Sequence, residues 1–205
     1  MEIFPISLKL QKQRCLIVGG GHIAYRKANL LVKAGAIVDV IAPEIEPELR
    51  QLVEQSTGQY IQAPFSDSIL ATPYRLVIAA TDQPDVNKAV FEQCEARNLL
   101  VNSVDDIPHC RFMVPAIIDR SPLVVSVASN GASPVLSRQL RTQIETIVPH
   151  GMGKLAEFSG QWRKQIKEKI SNPDERRIFW ENLYNSPLKE QVFNDNLEVA
   201  NHLIE

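Results

Sequence analysis

The sequence predicts an α/β chain: a doubly wound parallel sheet, followed by a β-hairpin/helix segment and a small helical domain. Three observations predict it. Short apolar runs alternate with amphipathic stretches through the first half, the pattern of parallel strands covered on both faces. The first of these runs ends in Gly19-Gly20-Gly21. After about Cys110 the pattern changes to two apolar runs around a turn and then to helical periodicity up to the last residues.

The elements follow in order. Arg14–Val18 reads as a strand, and Ala24, Ala28 and Leu31 recur at helical spacing before Gly35, a C-cap residue. Ile37–Ile41 is a second strand, broken by Pro43, with a helix over Glu46–Ser56 and a third strand at Tyr60–Ala63. Arg75–Thr81 and Leu99–Val104 are buried strands flanking a helix over Pro84–Arg97, with Val86, Val90 and Cys94 on one face. FMVPAIIDRSPLVVSVAS suggests a hairpin around Asp119-Arg120-Ser121-Pro122, although it lacks Asn-Gly or Asp-Gly. Ser133 is an N-cap and Pro134 a first helical residue; Leu136, Leu140, Ile144 and Ile147 make an apolar stripe that Pro149 ends. From about His150 the chain reads as all helical. One hairpin and one helix do not readily bury two faces alone. A symmetric homodimer through residues 111–148 is therefore expected.

Composition narrows the classes. A chain of 205 residues at 44% hydrophobic can bury a sizeable core. No run of about 18 apolar residues is present, so no membrane partner is expected. The start lacks a basic segment followed by a long apolar one, so the protein reads as cytoplasmic. A net charge of -2 gives no pull toward nucleic acid. Cys15, Cys94 and Cys110 are odd in number and widely spaced, which suits neither a disulfide framework nor zinc. Cys15 and Cys94 are expected in the core.

Gly19, Gly21 and Ala24 fit G-x-G-x-x-A between a strand and a helix. The first glycine permits the tight turn, the second lets backbone approach a pyrophosphate, and the third small residue lets helix pack on strand. The sheet is thus Rossmann-like and expected to hold a dinucleotide. The acidic residue that usually ends the second strand is missing: Ala42 and Pro43 stand there, Glu44 follows, and Asp39 comes too early. No nearby Arg would take a 2′-phosphate, which favours NAD over NADP. Neither a GxxxxGK[ST] loop nor a Tyr-x-x-x-Lys pair occurs.

Beyond the strand ends come Ala79–Asp82 and Asn102–Asp106, where ligands bind in such sheets. Thr81 would lie near the cofactor. Asp105 and Asp106 either include a general base for oxidation of a C–H bond or cap a turn before Pro108; position alone leaves both open. His109-Cys110 is adjacent, but neighbours rarely ligate one ion, and no metal ligand is assigned.

These residues resemble a known family. CLIVGGGHIAYRKANLLVKAGA, VIAPE, AATD, VNSVDD, FMVPAIIDRSPLVVSVASNGASPVLSRQLR and ERRIFWENLY are similar to the precorrin-2 dehydrogenase/sirohydrochlorin ferrochelatase family, the N-terminal part of siroheme synthases. The resemblance runs from Pro5 to about Tyr184, and its specific part is the IIDRSPLVVSVASNGASPVLSRQLR block. It implies an NAD-binding domain over residues 1–112, a dimerisation segment over 113–148 and a helical domain over 149–205. It implies NAD-dependent dehydrogenation of precorrin-2 to sirohydrochlorin, possible insertion of Fe²⁺ as a substrate, and a homodimer. Asp105 takes the place of the essential aspartate. Gly19, Gly20, Gly21, His22, Ile23, Pro43, Glu44 and Thr81 fall at the cofactor. Ser129 corresponds to a serine beside the substrate cleft, a possible phosphorylation site whose phosphate would repel an anionic substrate.

Precorrin-2 bears eight carboxylates, so cations should surround it. Arg111, Arg120, Arg138 and Arg141 are available, and residues 154–177 carry seven basic side chains against four acidic ones. For any single one a solvated face is the simpler account. Ser129-Asn130-Gly131, ahead of a helix N-terminus, would also cradle a carboxylate. Two alternatives stay open: a chelatase that uses the sheet as scaffold, and a non-catalytic NAD-sensing dimer. Nothing of the methyltransferase domain of bifunctional relatives is present, so a stand-alone enzyme and an N-terminal fragment both remain open.

Overall fold

The computed structural model describes residues 1–204, and the chain divides into two compact units, Met1–Met113 and Val114–Glu205. In the first, β1 (Arg14–Val18), β2 (Ile37–Ile41), β3 (Tyr60–Ile61), β4 (Leu76–Ala79) and β5 (Leu100–Ser103) form one parallel sheet in the order β3-β2-β1-β4-β5. Helices α1 (His22–Lys33), α2 (Pro47–Gln55) and α3 (Pro84–Glu95) cover it. Successive strand residues point to opposite faces. Cys15, Ile17, Val38, Val40 and Ile78 pack with Ala24, Ala28 and Leu31 of α1 and with Leu49 and Val53 of α2. Leu16, Val18, Val77 and Val101 pack with Val90 and Cys94 of α3. Both faces are buried, which is why the strands read as unbroken apolar runs. Each fully buried Val, Leu or Ile contributes about 1.5–3 kcal/mol.

The strand order reverses between β1 and β4. Their following loops diverge and leave a crevice at the carboxyl end of the sheet. Gly35 ends α1 with φ 78° while its N–H donates to Val32 O, and Ala36 N–H donates to Leu31 O, a Schellman closure. β3 is shorter than the expected Tyr60–Ala63, and a 3-10 turn at Asp67–Ala71 was not foreseen. Asp39, an acid inside β2, is buried and satisfied. It accepts from Arg14 Nη1 at 2.5 and 2.7 Å, from Gln59 N–H at 2.9 Å and from Tyr74 Oη at 3.1 Å. Burial and the Asp39 carboxylate together push the Tyr74 phenol up to about 12.

The second unit opens with a hairpin, β6 (Ala116–Arg120) and β7 (Leu123–Val127). Its two-residue loop is closed by a cis Ser121–Pro122 peptide, with Asp119 Oδ1 accepting from Ser121 N–H at 2.9 Å and from its hydroxyl at 2.6 Å. Helix α4 (Pro134–Ile147) starts at Ser133, whose hydroxyl accepts from Leu136 N–H. Then come α5 (Gly151–Lys169), α6 (Pro173–Tyr184), α7 (Leu188–Phe193) and α8 (Leu197–Ile204), around Leu155, Phe158, Ile166, Leu183, Leu188 and Val192.

The hairpin with α4, and the later helices, were expected as separate parts. They share one unit because α5 begins against the hairpin backbone. A Cβ at Gly153 would lie 2.4 Å from Arg120 O. Much of the expected stripe on α4 faces outward. Leu136 is 49% and Ile147 71% exposed, as is Val135 beside them, and on β7 Val124 is 56% exposed. Among the described residues no helix is long and apolar enough to cross a membrane.

Candidate functional site

The glycine turn sits at the switch point, and its three residues are demanded for different reasons. Gly19 has φ 121°, and a Cβ there would meet Ala80 O at 2.4 Å. A Cβ on Gly20 would meet Glu44 O at 1.9 Å. The turn is therefore clamped between the loops that follow β4 and β2. Gly21 differs: a Cβ there meets nothing within 4 Å, so its surface opens outward. Gly21 is also the N-cap of α1 and offers no side chain to cap it. The first N–H groups of that helix therefore face open space with the positive end of its dipole behind them. Bare backbone donors on a Cβ-free cradle fit a pyrophosphate.

The same close contacts gather the other expected cofactor residues. Glu44 lies against Gly20, and Thr81 N is 3.1 Å from a Cβ built at Gly19. The Pro43 carbonyl is fixed by Tyr60 Oη at 3.2 Å, and His22 and Ile23 are exposed in the first turn of α1. The Thr81 hydroxyl is held by Asn87 Oδ1 at 2.7 Å, which anchors the β4 loop to α3.

The structure separates the two carboxylates that position alone left equal. Asp106 is engaged in its own turn: His109 Nδ1 lies 2.6 Å from Oδ2, and its carbonyl accepts from Cys110 Sγ. It stands at the N-cap position of the short 3-10 turn Ile107–His109, with its carboxylate on the His109 ring rather than on a backbone N–H. Asp105 follows β5 at φ 60°, exposed, and no hydrogen bond occupies its carboxylate among the described residues. His109 also meets the Phe91 ring edge-on at 4.8 Å, and burial pushes the Cys110 thiol up. Among the described residues no three His, Cys, Asp or Glu side chains gather as a metal site.

Lys27 escaped the sequence reading, and Asn102 and Ser103 entered it only within the Asn102–Asp106 segment. Lys27 of α1 is half-buried and within Coulombic reach of Asp105 and Cys110. Burial, then Arg26, lowers its ammonium, and the acidic neighbours partly offset this. Asn102 Oδ1 and Ser103 Oγ are buried with no hydrogen-bond partner. An unpaired buried acceptor costs about 1–3 kcal/mol. The legible signal was two polar residues ending an otherwise apolar strand.

Candidates in the second unit sort differently. Ser129 Oγ accepts from Ser133 N–H at 3.1 Å and from Ser137 Oγ at 2.9 Å, so it braces the start of α4. Asn130 and Gly131 both take positive φ, 51° and 78°, in the loop just before it. Arg138 is exposed. Arg120, expected at the substrate, is instead occupied within the unit. Its side chain donates to Val148 O, Asp119 O and Glu145, with only 8% of it exposed. Arg141 similarly reaches Ile117 O and Glu145, and Arg111 of the first unit pairs with Glu95.

Comparison with known proteins adds the following. Residues 6–116 match the family model described as "Putative NAD(P)-binding", and residues 151–205 match "Sirohaem synthase dimerisation region". The chain is 78% identical over 204 residues to the siroheme synthase of Acinetobacter baylyi, covering 100% of this chain and 45% of that protein. It is 47% identical over 200 residues to the siroheme synthase of Chromobacterium violaceum, covering 98% of this chain and 42% of that protein. The chain thus spans less than half the length of these relatives. Its fold is similar to that of a solved structure titled "SirC, precorrin-2 dehydrogenase", with a TM-score of 0.75 at 21% identity, covering 96% of this chain and 99% of that chain.

Proposed function

The chain belongs to the putative NAD(P)-binding family, and from that premise, together with its likeness to siroheme synthases, we propose that it carries out the NAD-dependent dehydrogenation of precorrin-2 to sirohydrochlorin. The observation that carries the reading is the unengaged Asp105 carboxylate at the carboxyl end of β5, in the same sheet edge as the open cradle at Gly21. Oxidising a C–H bond requires removal of a hydride and a proton. The nicotinamide, when bound, accepts the hydride. Asp105 accepts the proton, as an exposed carboxylate with no competing hydrogen bond is able to do. Backbone N–H groups at the start of α1 hold the pyrophosphate, and the Gly19–Thr81 contact fixes the floor beside it. The exposed carboxylate of Glu44 would repel a 2′-phosphate, which supports NAD rather than NADP.

In this reading the product then takes up Fe²⁺ as a second substrate, with Asp105 accepting pyrrole N–H protons. The chain works as a homodimer through the outward apolar residues of β7 and α4, where Val124, Val135 and Ile147 stand exposed. Ser129 and Arg138 are the candidates in that unit for substrate carboxylates, and a phosphate on Ser129 would oppose such binding.

One assay tests the reading. Precorrin-2 and NAD⁺ are supplied, NADH is followed, and Fe²⁺ is added afterwards. NADH release is expected before any iron is present. Iron insertion without NAD dependence would leave only a chelatase, and neither signal would leave an NAD-sensing dimer.

A further inference from the structure

The helical unit holds a second concave surface that chemistry at Asp105 does not require. A groove of about 670 Å³ is lined by residues of α5 and α6, a volume typical of clefts that take small molecules. Four cations line it, Arg163 and Lys167 from α5 with Arg176 and Arg177 from α6, and no acidic residue does. The four are not equivalent. Arg177 pairs with Glu181 at 2.9 Å, and Arg176 donates to Ile170 O and Ser171 O, which fixes it at the end of α5. Arg163 and Lys167, one helical turn apart, have no ion pair or hydrogen bond among the described residues.

The wall is built as well as charged. The Trp180 and Tyr184 rings stack at 5.8 Å and 25°. Tyr184 Oη bonds to Ser159 Oγ at 3.0 Å, and Ser159 donates to Leu155 O at 2.7 Å, so the stack is tethered to α5. Between these features lies Gly160, in mid-helix, where a Cβ would meet nothing within 4 Å. Glycine is unfavourable in a helix interior relative to alanine, and no packing neighbour demands it here. Its smallness leaves the groove open.

Unpaired cations beside a flat aromatic wall suit a ligand that is anionic at its rim and aromatic on its face. We propose that this groove binds a planar aromatic polycarboxylate, with rim carboxylates on Arg163 and Lys167 and a ring face on the Trp180–Tyr184 stack. The inference rests on the proposed function in one respect: the tetrapyrrole substrate class, a macrocycle with eight carboxylates, has this chemistry. A second copy of the chain is the weaker occupant. In a symmetric contact on this patch the four cations would meet their own copies.

The test uses the full chain, without NAD, and uroporphyrin, an aromatic octacarboxylate that leaves the dehydrogenase nothing to oxidise. Binding is followed by quenching of tryptophan fluorescence and by porphyrin anisotropy. Affinity is expected to fall steeply as salt is raised. The double variant Arg163→Gln/Lys167→Gln should weaken binding roughly tenfold. Gly160→Leu, which fills open space, should weaken it similarly while the melting temperature holds. No binding by the parent chain, or unchanged affinity in both variants, overturns the proposal. So does loss of the dimer in the variants with porphyrin affinity intact, which would assign the groove to a second copy. The two readings fail separately. A chain that releases no NADH yet binds uroporphyrin through these residues removes only the dehydrogenase. Normal NADH release with unchanged affinity in both variants removes only the groove.

Discussion

In the first unit every long strand is covered on two faces, and two buried polar atoms stand without partners at the end of one of them. In the second, the hairpin fully buries a single residue, Ile118, and leaves Leu123 and Val124 in the open. The exceptions are therefore opposite in kind. Buried polar atoms without partners, Asn102 Oδ1 and Ser103 Oγ, lie at the end of β5. Exposed apolar side chains, Val135, Leu136, Leu140 and Ile147, run along α4. An unpaired buried acceptor and an exposed apolar stripe each carry a free-energy penalty in an isolated chain, and each is relieved by a different partner. The first kind marks a place for small-molecule chemistry, the second a place for another protein surface.

The largest effect that would break this comparison concerns the first unit. Asp105→Asn should lower kcat/KM for dehydrogenation by about 10²–10⁴, the contribution of a positioned base, while NAD affinity and the melting temperature stay as they are. Asp106→Asn should act mainly through loss of its His109 contact and cost far less activity. Equal losses in both variants would return the pair to the ambiguity it has in sequence.

Next come the glycines. Gly21→Asp puts a carboxylate into the open cradle. At about 5–6 Å from a phosphate and an effective dielectric near 20, the repulsion of roughly 3 kcal/mol predicts on the order of a hundredfold loss of NAD affinity with the fold intact. Gly20→Ala should instead damage folding, because its Cβ would stand 1.9 Å from Glu44 O. Titration calorimetry beside thermal melts separates the two. Unchanged NAD affinity in Gly21→Asp would remove the cradle.

For the second unit, Val124→Asp/Leu140→Asp should weaken self-association by on the order of a hundredfold, read by light scattering across concentration, because two apolar contacts per protomer are lost. The family match assigns dimerisation to residues 151–205, whereas the exposed apolar surface lies at residues 123–147. An unaltered dimer in this variant would move the interface into the later helices.

Most of the first unit could be read from the chain because its signals are local. β1 and β2 have the expected bounds, and the G-x-G-x-x-A turn opens α1 where the motif requires. What was hidden depends on contacts distant in sequence. Asp39 looks like a misplaced cofactor residue until Arg14, Gln59 and Tyr74 close around it. Arg120 looks like a free cation until Glu145 and the end of α4 take its donors. Asp105 and Asp106 are adjacent and chemically equal, and only the three-residue step to His109 tells them apart. The stripe on α4 was visible, but that Leu136, Leu140 and Ile147 stay exposed depends on tertiary packing that periodicity does not encode.

The smallest effect is a pH dependence that should separate the units. Burial raises Cys15 and Cys94 from the ordinary 9.0 to about 11, and Tyr74 from 10.0 to about 12, with the Asp39 carboxylate adding to the shift of Tyr74. Each group is neutral when protonated, and the fold favours that form. The unfolded chain releases these protons first, near pH 9 for the thiols and near 10 for the phenol. The stability is therefore fully present below pH 9 and is lost as pH climbs toward 11 and then 12. All three groups belong to the first unit, and both tryptophans, Trp162 and Trp180, belong to the second. Under reducing conditions at pH 10–11, the melting temperature read through NAD binding should drop by a few degrees, while the transition read by tryptophan fluorescence lags behind it. Cys94→Val should make that drop shallower by removing one titrating group from the α3 face. A tryptophan transition that falls in step with the loss of NAD binding would mean that the two units unfold as one.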